Sequence, residues 1–194
     1  PIDFIGALAY DSINNGMWIG ANQGLFFYDL KHKQLCSPFA NRAAEDIRGC
    51  IGSIIDKNGQ LWIGCLDGVY IIDLHSRPAS SSDGVFRYRH LKYKLDDPSS
   101  GLIEKICCFY EAQDGILWLG SNGYGIYKCM QDERGEVQFI CYNSLHGLPD
   151  NSIRGILEDD KGYIWIATNN GLSRFQPTEN HFINYNRQDG LTDT

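Results

Sequence analysis

Polar side chains that could bind a ligand occur at four turns of the sequence. The turns are Asn22-Gln23, Leu66-Asp67, Asn122-Gly123-Tyr124 and Asn169-Asn170. Amides, a carboxylate and a tyrosine suit the hydroxyls and ring faces of sugars, which makes six residues candidates for ligand binding: Tyr124, Asn122, Asn169, Asn170, Asp67 and Asn22. Asn, Asp and Gly are also the residues that tight turns need because they tolerate positive φ, and the sequence alone favours this structural interpretation.

Two arginines are further candidates for the same site. Arg48 and Arg154 fall near the starts of predicted strands, where a guanidinium could bind an acidic or hydroxyl-rich ligand. Each could equally be paired with a nearby carboxylate, that of Asp46 or Asp150, and this pairing is the favoured interpretation.

Neither a metal site nor a cofactor site is predicted. Asp56-x-Asn58-Gly59 is similar to the start of a calcium loop, but the later ligands are missing. The five histidines lack metal-ligand spacing and are expected at the surface. The seven cysteines include no Cys-x-x-Cys, so we expect small buried apolar residues rather than a zinc site or a disulfide scaffold. Taken alone, this cysteine usage favours a reducing compartment.

All four tryptophans occur in one repeated phrase, a short apolar strand followed by a polar turn and a second strand. Trp18, Trp62, Trp118 and Trp165 are 44, 56 and 47 residues apart, and self-similarity at about 40 to 50 residues is typical of a solenoid or a propeller blade. The connectors 139–153 and 182–194 also align, at a separation of 43 residues. The sequence therefore predicts four repeats.

Each repeat resolves into four short strands joined by turns of Asn, Asp and Gly, as hairpins require. We predict an all-β fold, a partial β-propeller of about four blades, each a four-stranded antiparallel sheet. The blades are placed at 1–44, 45–101, 102–150 and 151–194. A blade is covered on both faces, so the four tryptophans are expected to be structural, each packing one blade against the next.

The overall charge and hydropathy exclude several classes of partner. The formal charge of −7 and the pI near 5.1 argue against a non-specific nucleic-acid binder, which needs a basic face. No apolar run approaches the roughly 18 residues needed to span a bilayer. We therefore expect this chain to contact neither nucleic acid nor membrane.

The repeated phrase resembles the two-component regulator propeller repeat. Residues 158–175 (EDDKGYIWIATNNGLSRF) and 142–153 (YNSLHGLPDNSI) carry the pattern most clearly, followed by 54–73 (IIDKNGQLWIGCLDGVYIID). The third repeat departs from it, with Ala112 where Asp56 and Asp159 stand. The resemblance covers essentially the whole chain.

This resemblance implies a sensor region of a hybrid two-component histidine kinase, periplasmic and part of an inner-membrane receptor. The chain would be non-catalytic and would respond to a glycan or oligosaccharide. Its partners would be the remaining propeller blades of the parent chain, and exposed end blades could also pair with a second copy. The implied periplasmic location is preferred to the compartment that the cysteines favour.

Two alternatives remain open. A propeller enzyme of lyase or glycosidase type is one, because Asp-x-x-Gly-x-x-Trp is similar to the sialidase Asp box, although no arginine triad is recognisable and no catalytic residue is predicted. A purely structural or oligomerisation module is the other.

Overall fold

The computed structural model describes residues 4–39, 47–76, 86–92, 104–132 and 136–191. These ranges contain sixteen β-strands and no α-helix. The strands are β1 (Ile5–Asp11), β2 (Gly16–Ala21), β3 (Leu25–Asp29), β4 (Gln34–Cys36), β5 (Gly52–Ile55), β6 (Gln60–Cys65), β7 (Gly68–Asp73), β8 (Arg87–Leu91), β9 (Ile106–Glu111), β10 (Leu117–Ser121), β11 (Ile126–Gln131), β12 (Val137–Tyr142), β13 (Ile153–Glu158), β14 (Ile164–Thr168), β15 (Gly171–Gln176) and β16 (His181–Tyr185). Short 3-10 turns follow β7, β12 and β16, at Leu74–Ser76, Ser144–His146 and Arg187–Asp189.

The strands form four antiparallel meanders of four strands each. Sheet 1 contains β1 to β4, sheet 2 β5 to β8, sheet 3 β9 to β12 and sheet 4 β13 to β16, and each strand pairs with its neighbour in sequence. The predicted fold class is therefore confirmed. The predicted blade limits at 44/45 and 101/102 lie outside the described residues.

The chain divides into two compact units. The first runs to Lys92, with 104–106 added, and contains sheets 1 and 2. Trp18 lies 1% exposed in its core, with its ring centroid 5.1 Å from that of Phe27 and 4.8 Å from that of Phe86 just before β8. A Cβ on Gly20 would lie 2.6 Å from the Cβ of Cys50. Only glycine permits this close approach of the two sheets.

The second unit begins at Cys107 and contains sheets 3 and 4. Trp118 of β10 lies edge-on to Phe175 of β15, with ring centroids 5.8 Å apart. Phe175 also stacks on Phe182 of β16 at 4.3 Å. The contact between Trp118 and Phe175 joins sheet 3 to sheet 4. Burying a large apolar side chain fully contributes about 1.5–3 kcal/mol to the stability of the fold.

Trp165 of sheet 4 differs from the other three tryptophans. Trp18, Trp62 and Trp118 are 1%, 2% and 1% exposed, whereas Trp165 is only half-buried. Its ring stacks on Tyr185 of the same sheet at 5.7 Å. Within the described residues, sheet 4 thus leaves one tryptophan face partly open.

The repeated tryptophan has a second role, which is to hydrogen-bond the turn before its strand. The indole N–H of Trp62 donates to Oδ2 of Asp56 at 2.8 Å, and that of Trp165 donates to Asp159 at 2.8 Å. In sheet 1 the corresponding bond, from Trp18 to Asp11, is 3.1 Å. Asp-x-x-Gly-x-x-Trp is therefore a structural unit that closes a hairpin.

Sheet 3 forms the same turn without the carboxylate. The amide of Ala112 donates to the carbonyl of Ile116 at 2.9 Å, and the amide of Gly115 donates back to the carbonyl of Ala112 at 2.9 Å. In sheet 2, Asp56 makes the same pair of bonds with Gln60 and Gly59, at 2.9 and 3.0 Å. The aspartate thus adds stability to a turn that the backbone can form without it.

The seven cysteines are free thiols. Cys50, Cys65 and Cys129 are buried, as expected, whereas the other four are only half-buried. Among the described residues no helix is long and apolar enough to cross a membrane.

Candidate functional site

Four of the predicted site residues gather around the start of β13 in the second unit. Ser152 forms a β-bridge with Asn122 of the β10–β11 turn, and its carbonyl accepts a hydrogen bond from the amide of Asn169 in the β14–β15 turn at 3.1 Å. Arg154 donates its Nε–H to Oδ1 of Asn169 at 2.7 Å. We call Asn122, Arg154, Asn169 and Asn170 the polar cluster.

The β14–β15 turn is held in place by its own polar atoms. The Thr168 hydroxyl donates to the carbonyl of Gly171 at 2.9 Å and accepts from the amide of Asn170 at 3.1 Å. The Asn170 side chain donates to the carbonyl of Pro149 at 3.4 Å. Both asparagines are therefore oriented by contacts beyond their own turn.

Positive φ does not explain the polar residues at these turns, contrary to the sequence-based explanation. The glycine after each turn adopts it, with φ of 157° at Gly24, 134° at Gly68, 100° at Gly125 and 102° at Gly171. None of the polar candidate residues in the turns has a positive φ; these are Asn22, Asp67, Asn122, Asn169 and Asn170. Their side chains are therefore not explained by that backbone requirement.

Tyr124 lies in the same turn as Asn122. Its amide donates to Oγ of the buried Ser121 at 3.0 Å, and that hydroxyl in turn donates to the carbonyl of Gly125 at 2.8 Å. The tyrosine is half-buried, so part of its surface is exposed to solvent.

Arg154 is not held by the acidic partner considered from the sequence. Asp150 instead accepts the amide of Ser152 at 2.6 Å, while Arg154 contacts Asn169. The arginine side chain is exposed, and its further N–H groups can donate to hydroxyls or to a carboxylate.

Cys107 lies beside Arg154 and was not predicted as a site residue. Its thiol donates to the carbonyls of Ile153 and Gly120 at 3.2 and 3.4 Å. The hydrogen bond with Cys108 and the positive charge of Arg154 lower the pKa of Cys107 to about 7. The sequence showed the pair Cys107-Cys108 but gave no sign of the nearby arginine, because Arg154 is 47 residues away.

The predicted residues of the first unit show a parallel arrangement. The amide of Gly49, next to the exposed Arg48, donates to the carbonyl of Asn22 at 3.4 Å. A Cβ on Gly49 would lie 2.8 Å from the side chain of Leu66, which neighbours Asp67. Asn22, Arg48 and Asp67 thus flank the segment that leads into β5. Asp46, the partner considered for Arg48, lies outside the described residues.

Asp67 belongs to an aromatic cluster that the sequence did not indicate. Its Oδ2 accepts from the Tyr70 hydroxyl at 3.2 Å and lies 3.4 Å from Nε2 of His90. The rings of Tyr70 and His90 stack at 3.9 Å. Burial lowers the pKa of His90, and burial together with the Asp67 charge raises the pKa of Tyr70. His90 was expected at the surface; it is instead half-buried because it pairs across strands with Tyr70.

A pocket of about 860 Å³ opens next to the polar cluster. It lies between the turn at 168–171 and the connector at 184–191, with Asn169, Asn170 and Leu191 among its lining residues. As for metals, no cluster of three or more His, Cys, Asp or Glu side chains able to hold an ion occurs in the part of the chain that the structure describes.

Comparison with protein families identifies one of the repeats. Residues 147–170 match the family model of the two component regulator propeller. The match begins in the connector before β13, includes β13 and β14, and ends in the β14–β15 turn. The predicted resemblance to this family is confirmed. No curated protein matches the chain in sequence.

Several solved structures are similar in fold to this chain over nearly its whole length. A structure described as the extracellular domain of the hybrid two component system BT3049 from B. thetaiotaomicron aligns with a TM-score of 0.70 and 24% identity, covering 96% of this chain. PorZ of the type-IX secretion system of Porphyromonas gingivalis aligns at 0.62 and 18%, over 96% of this chain and 28% of its own. Virginiamycin B lyase from Staphylococcus aureus aligns at 0.59 and 16%, over 94% of this chain and 55% of its own.

These similarities show the fold. The chain spans only 23% of the length of the BT3049 structure, so it corresponds to a part of that domain. Because a domain of a two component system, a secretion-system component and a lyase share this fold, function has to be inferred from the repeat family and from the site.

Proposed function

We propose that this chain is a non-catalytic, ligand-sensing propeller segment of a hybrid two-component sensor histidine kinase. The observation that carries the proposal is the match of residues 147–170 to the two component regulator propeller. The parent protein would be periplasmic in its sensor region and anchored in the inner membrane. It would signal to a kinase and a transcription-regulating output outside this chain.

The ligand we propose is a glycan or oligosaccharide bound at the polar cluster. The carboxamides of Asn122, Asn169 and Asn170 both donate and accept, as sugar hydroxyls do. Arg154 adds a charged donor that is held in place by Asn169 at 2.7 Å. Tyr124, in the same turn as Asn122, offers an aromatic surface for a sugar ring.

The chemistry of the polar cluster supports binding rather than catalysis. Carboxamides do not transfer protons at neutral pH, and an arginine stays charged. Glycosidases and related enzymes need a positioned acid and base. The four residues of the cluster supply hydrogen bonds but no group able to act as such a pair.

Binding can be tested on the full-length protein with a panel of oligosaccharides, using thermal shift followed by titration calorimetry. We expect one ligand class to raise the melting temperature. Arg154→Ala should weaken that binding about tenfold, the loss of a charge-assisted hydrogen bond. Lys161→Ala, an exposed change in the β13–β14 turn, is the matched control and should leave the affinity unchanged.

Two results would contradict the proposal. Absence of binding across the panel would remove the glycan ligand, and equal affinities for Arg154→Ala and Lys161→Ala would remove the polar cluster as its site. Turnover of a bound ligand by the purified protein would contradict the non-catalytic role.

A further inference from the structure

Two cysteine side chains, those of Cys50 and Cys65, lie against each other in the core of the first unit. The thiol of Cys65 donates to the sulfur of Cys50 at 3.4 Å, and the thiol of Cys50 donates to the carbonyl of Ile47 at 3.8 Å. Both cysteines are 0% exposed. They are 15 positions apart in the sequence, so the fold and not the local chain brings the two sulfurs together.

Strand pairing holds the two cysteines side by side. The amide of Ile51 donates to the carbonyl of Gly64 at 2.9 Å, and Gly52 pairs with the same glycine across β5 and β6. On the other side, the amide of Cys50 donates to the carbonyl of Ala21 in sheet 1 at 3.4 Å. The segment before β5 is therefore fixed by both sheets, and it lies against the end of β6.

A disulfide requires only a small movement of this pair. The sulfur–sulfur bond is about 2.05 Å long, so the two atoms need to approach by about 1.4 Å, which rotation of the two side chains can supply. Cys107 and Cys108 are less suited to such a bond. They are neighbours in sequence, with Cα atoms about 3.8 Å apart, whereas disulfides usually join Cα atoms about 4.4–6.8 Å apart.

The two buried thiols also differ in acidity. The hydrogen bond that Cys65 donates lowers the pKa of Cys50. The same bond and burial raise the pKa of Cys65. Because the thiolate is the nucleophile in thiol–disulfide exchange, Cys50 is the sulfur that attacks first.

We propose that Cys50 and Cys65 form a modification site, which closes to a disulfide by exchange with an external disulfide. The Cys50 thiolate attacks one sulfur of that disulfide and releases the other half as a thiolate. Cys65 then loses its proton, attacks the sulfur of Cys50 and releases the second half. The two protein thiols lose two electrons and two protons, and the external disulfide is reduced to two thiols.

Closing this bond would act on the candidate ligand-binding residues of the first unit. Arg48 lies two residues before Cys50. Asp67 lies two residues after Cys65. Oxidation would fix the spacing of the arginine and the aspartate, which reduces the ordering cost of binding a ligand there. The periplasmic location that we propose is one in which disulfides persist; the contact between the two sulfurs does not rest on that location.

Oxidative refolding of the full-length protein tests the site. The protein is reduced, unfolded and refolded with reduced and oxidised glutathione, because both sulfurs are closed off in the folded chain. Digestion with trypsin in the absence of reductant separates the two cysteines at Lys57, and mass spectrometry then identifies the linked peptides. Cys50 should be linked to Cys65 at least about tenfold more often than either is linked to another cysteine, since disulfide geometry is specific.

Hydrogen exchange shows whether the bond belongs to the native fold. Amides of residues 47–52 should exchange at least about tenfold more slowly in the oxidised protein than in the reduced one, because a cross-link over 15 positions opposes opening of this segment. Cys65→Ala should remove the difference. Cys129→Ala replaces a buried cysteine of sheet 3, and as the matched control it should retain both the linkage and the slower exchange.

Three results would overturn the proposal. The first is recovery of both cysteines as free thiols or glutathione adducts after oxidative refolding. The second is linkage of either one to other cysteines at comparable yield. The third is a linked pair that leaves exchange at 47–52 unchanged or faster, since such a bond would not fit the native contact. None of these measurements uses a ligand, so this proposal and the oligosaccharide proposal can fail separately.

Discussion

Replacing Asp56 by Ala should destabilise the first unit without changing its fold. Oδ1 of Asp56 accepts the amides of Asn58 and Gln60 at 2.9 and 2.8 Å, and Oδ2 accepts the indole N–H of Trp62 at 2.8 Å. Ala112 shows that the backbone turn forms without a carboxylate. The substitution therefore removes three hydrogen bonds from a turn that can still close.

The expected loss can be worked out bond by bond. The indole is 2% exposed, and a buried donor left without a partner costs about 1–3 kcal/mol. The two turn amides lie nearer to solvent, and each lost bond there costs about 0.5 kcal/mol. We therefore expect the free energy of unfolding to fall by about 3 kcal/mol.

Urea denaturation followed by circular dichroism measures this change. Asp160→Ala removes an exposed carboxylate in the equivalent turn of sheet 4 and should change stability by no more than about 0.5 kcal/mol. In a Trp62→Phe background, Asp56→Ala should cost only about 1 kcal/mol, a third as much, because the indole donor is already gone and only the two amide bonds are lost. A loss below about 0.5 kcal/mol for Asp56→Ala, or an identical loss in both backgrounds, would refute the reasoning.

Three further predictions concern titratable groups. Burial and the nearby carboxylate of Asp67 raise the pKa of Tyr70 above its usual 10.0. The stability that is present below pH 10 should therefore fall as the pH rises through the pKa of Tyr70 in the folded state. Urea denaturation of Tyr70→Phe should show a smaller fall over the same pH range. The hydrogen bond from the Trp165 indole lowers the pKa of Asp159 below 3.8. The stabilisation that the ionised carboxylate gives the folded state is therefore lost as the pH falls through that lower value. Urea denaturation of Asp159→Asn should show a stability that depends less on pH below about pH 4. Arg154→Gln should raise the pKa of the Cys107 thiol from about 7, shifting its alkylation profile to higher pH; an unchanged profile would contradict the role of the arginine.

Most of the fold could be predicted from the sequence, because each repeat carries its own local signals. The Trp-containing strand and the glycine after the polar turn specify a hairpin within about fifteen residues. For sheet 4, these signals predict strands at 152–159, 163–168, 172–176 and 181–186, and β13 to β16 begin and end within one residue of those bounds. Short-range turns of this kind leave few alternative pairings.

The contacts of the site residues were less predictable because they join different strands and turns of a sheet. Arg154 could be placed near the start of a strand, but its partner Asn169 comes from the following hairpin. Similarly, the Tyr70–His90 pair depends on the register of β7 and β8, whose connection includes residues 77–85. Local patterns identify residues at turns; they do not specify which turns lie side by side.

The polar turns combine two functions that involve different atoms. Their backbone carbonyls and amides bind the segment that opens the next sheet, as Asn22 and Gly123 do. Their glycines supply the positive φ. Neither task requires an asparagine side chain at 169 or 170, yet Asn169 orients Arg154 and Asn170 reaches Pro149. Positive φ and the backbone bonds to the next sheet therefore do not account for these two side chains, which is consistent with the proposal that they contribute to ligand binding at the polar cluster.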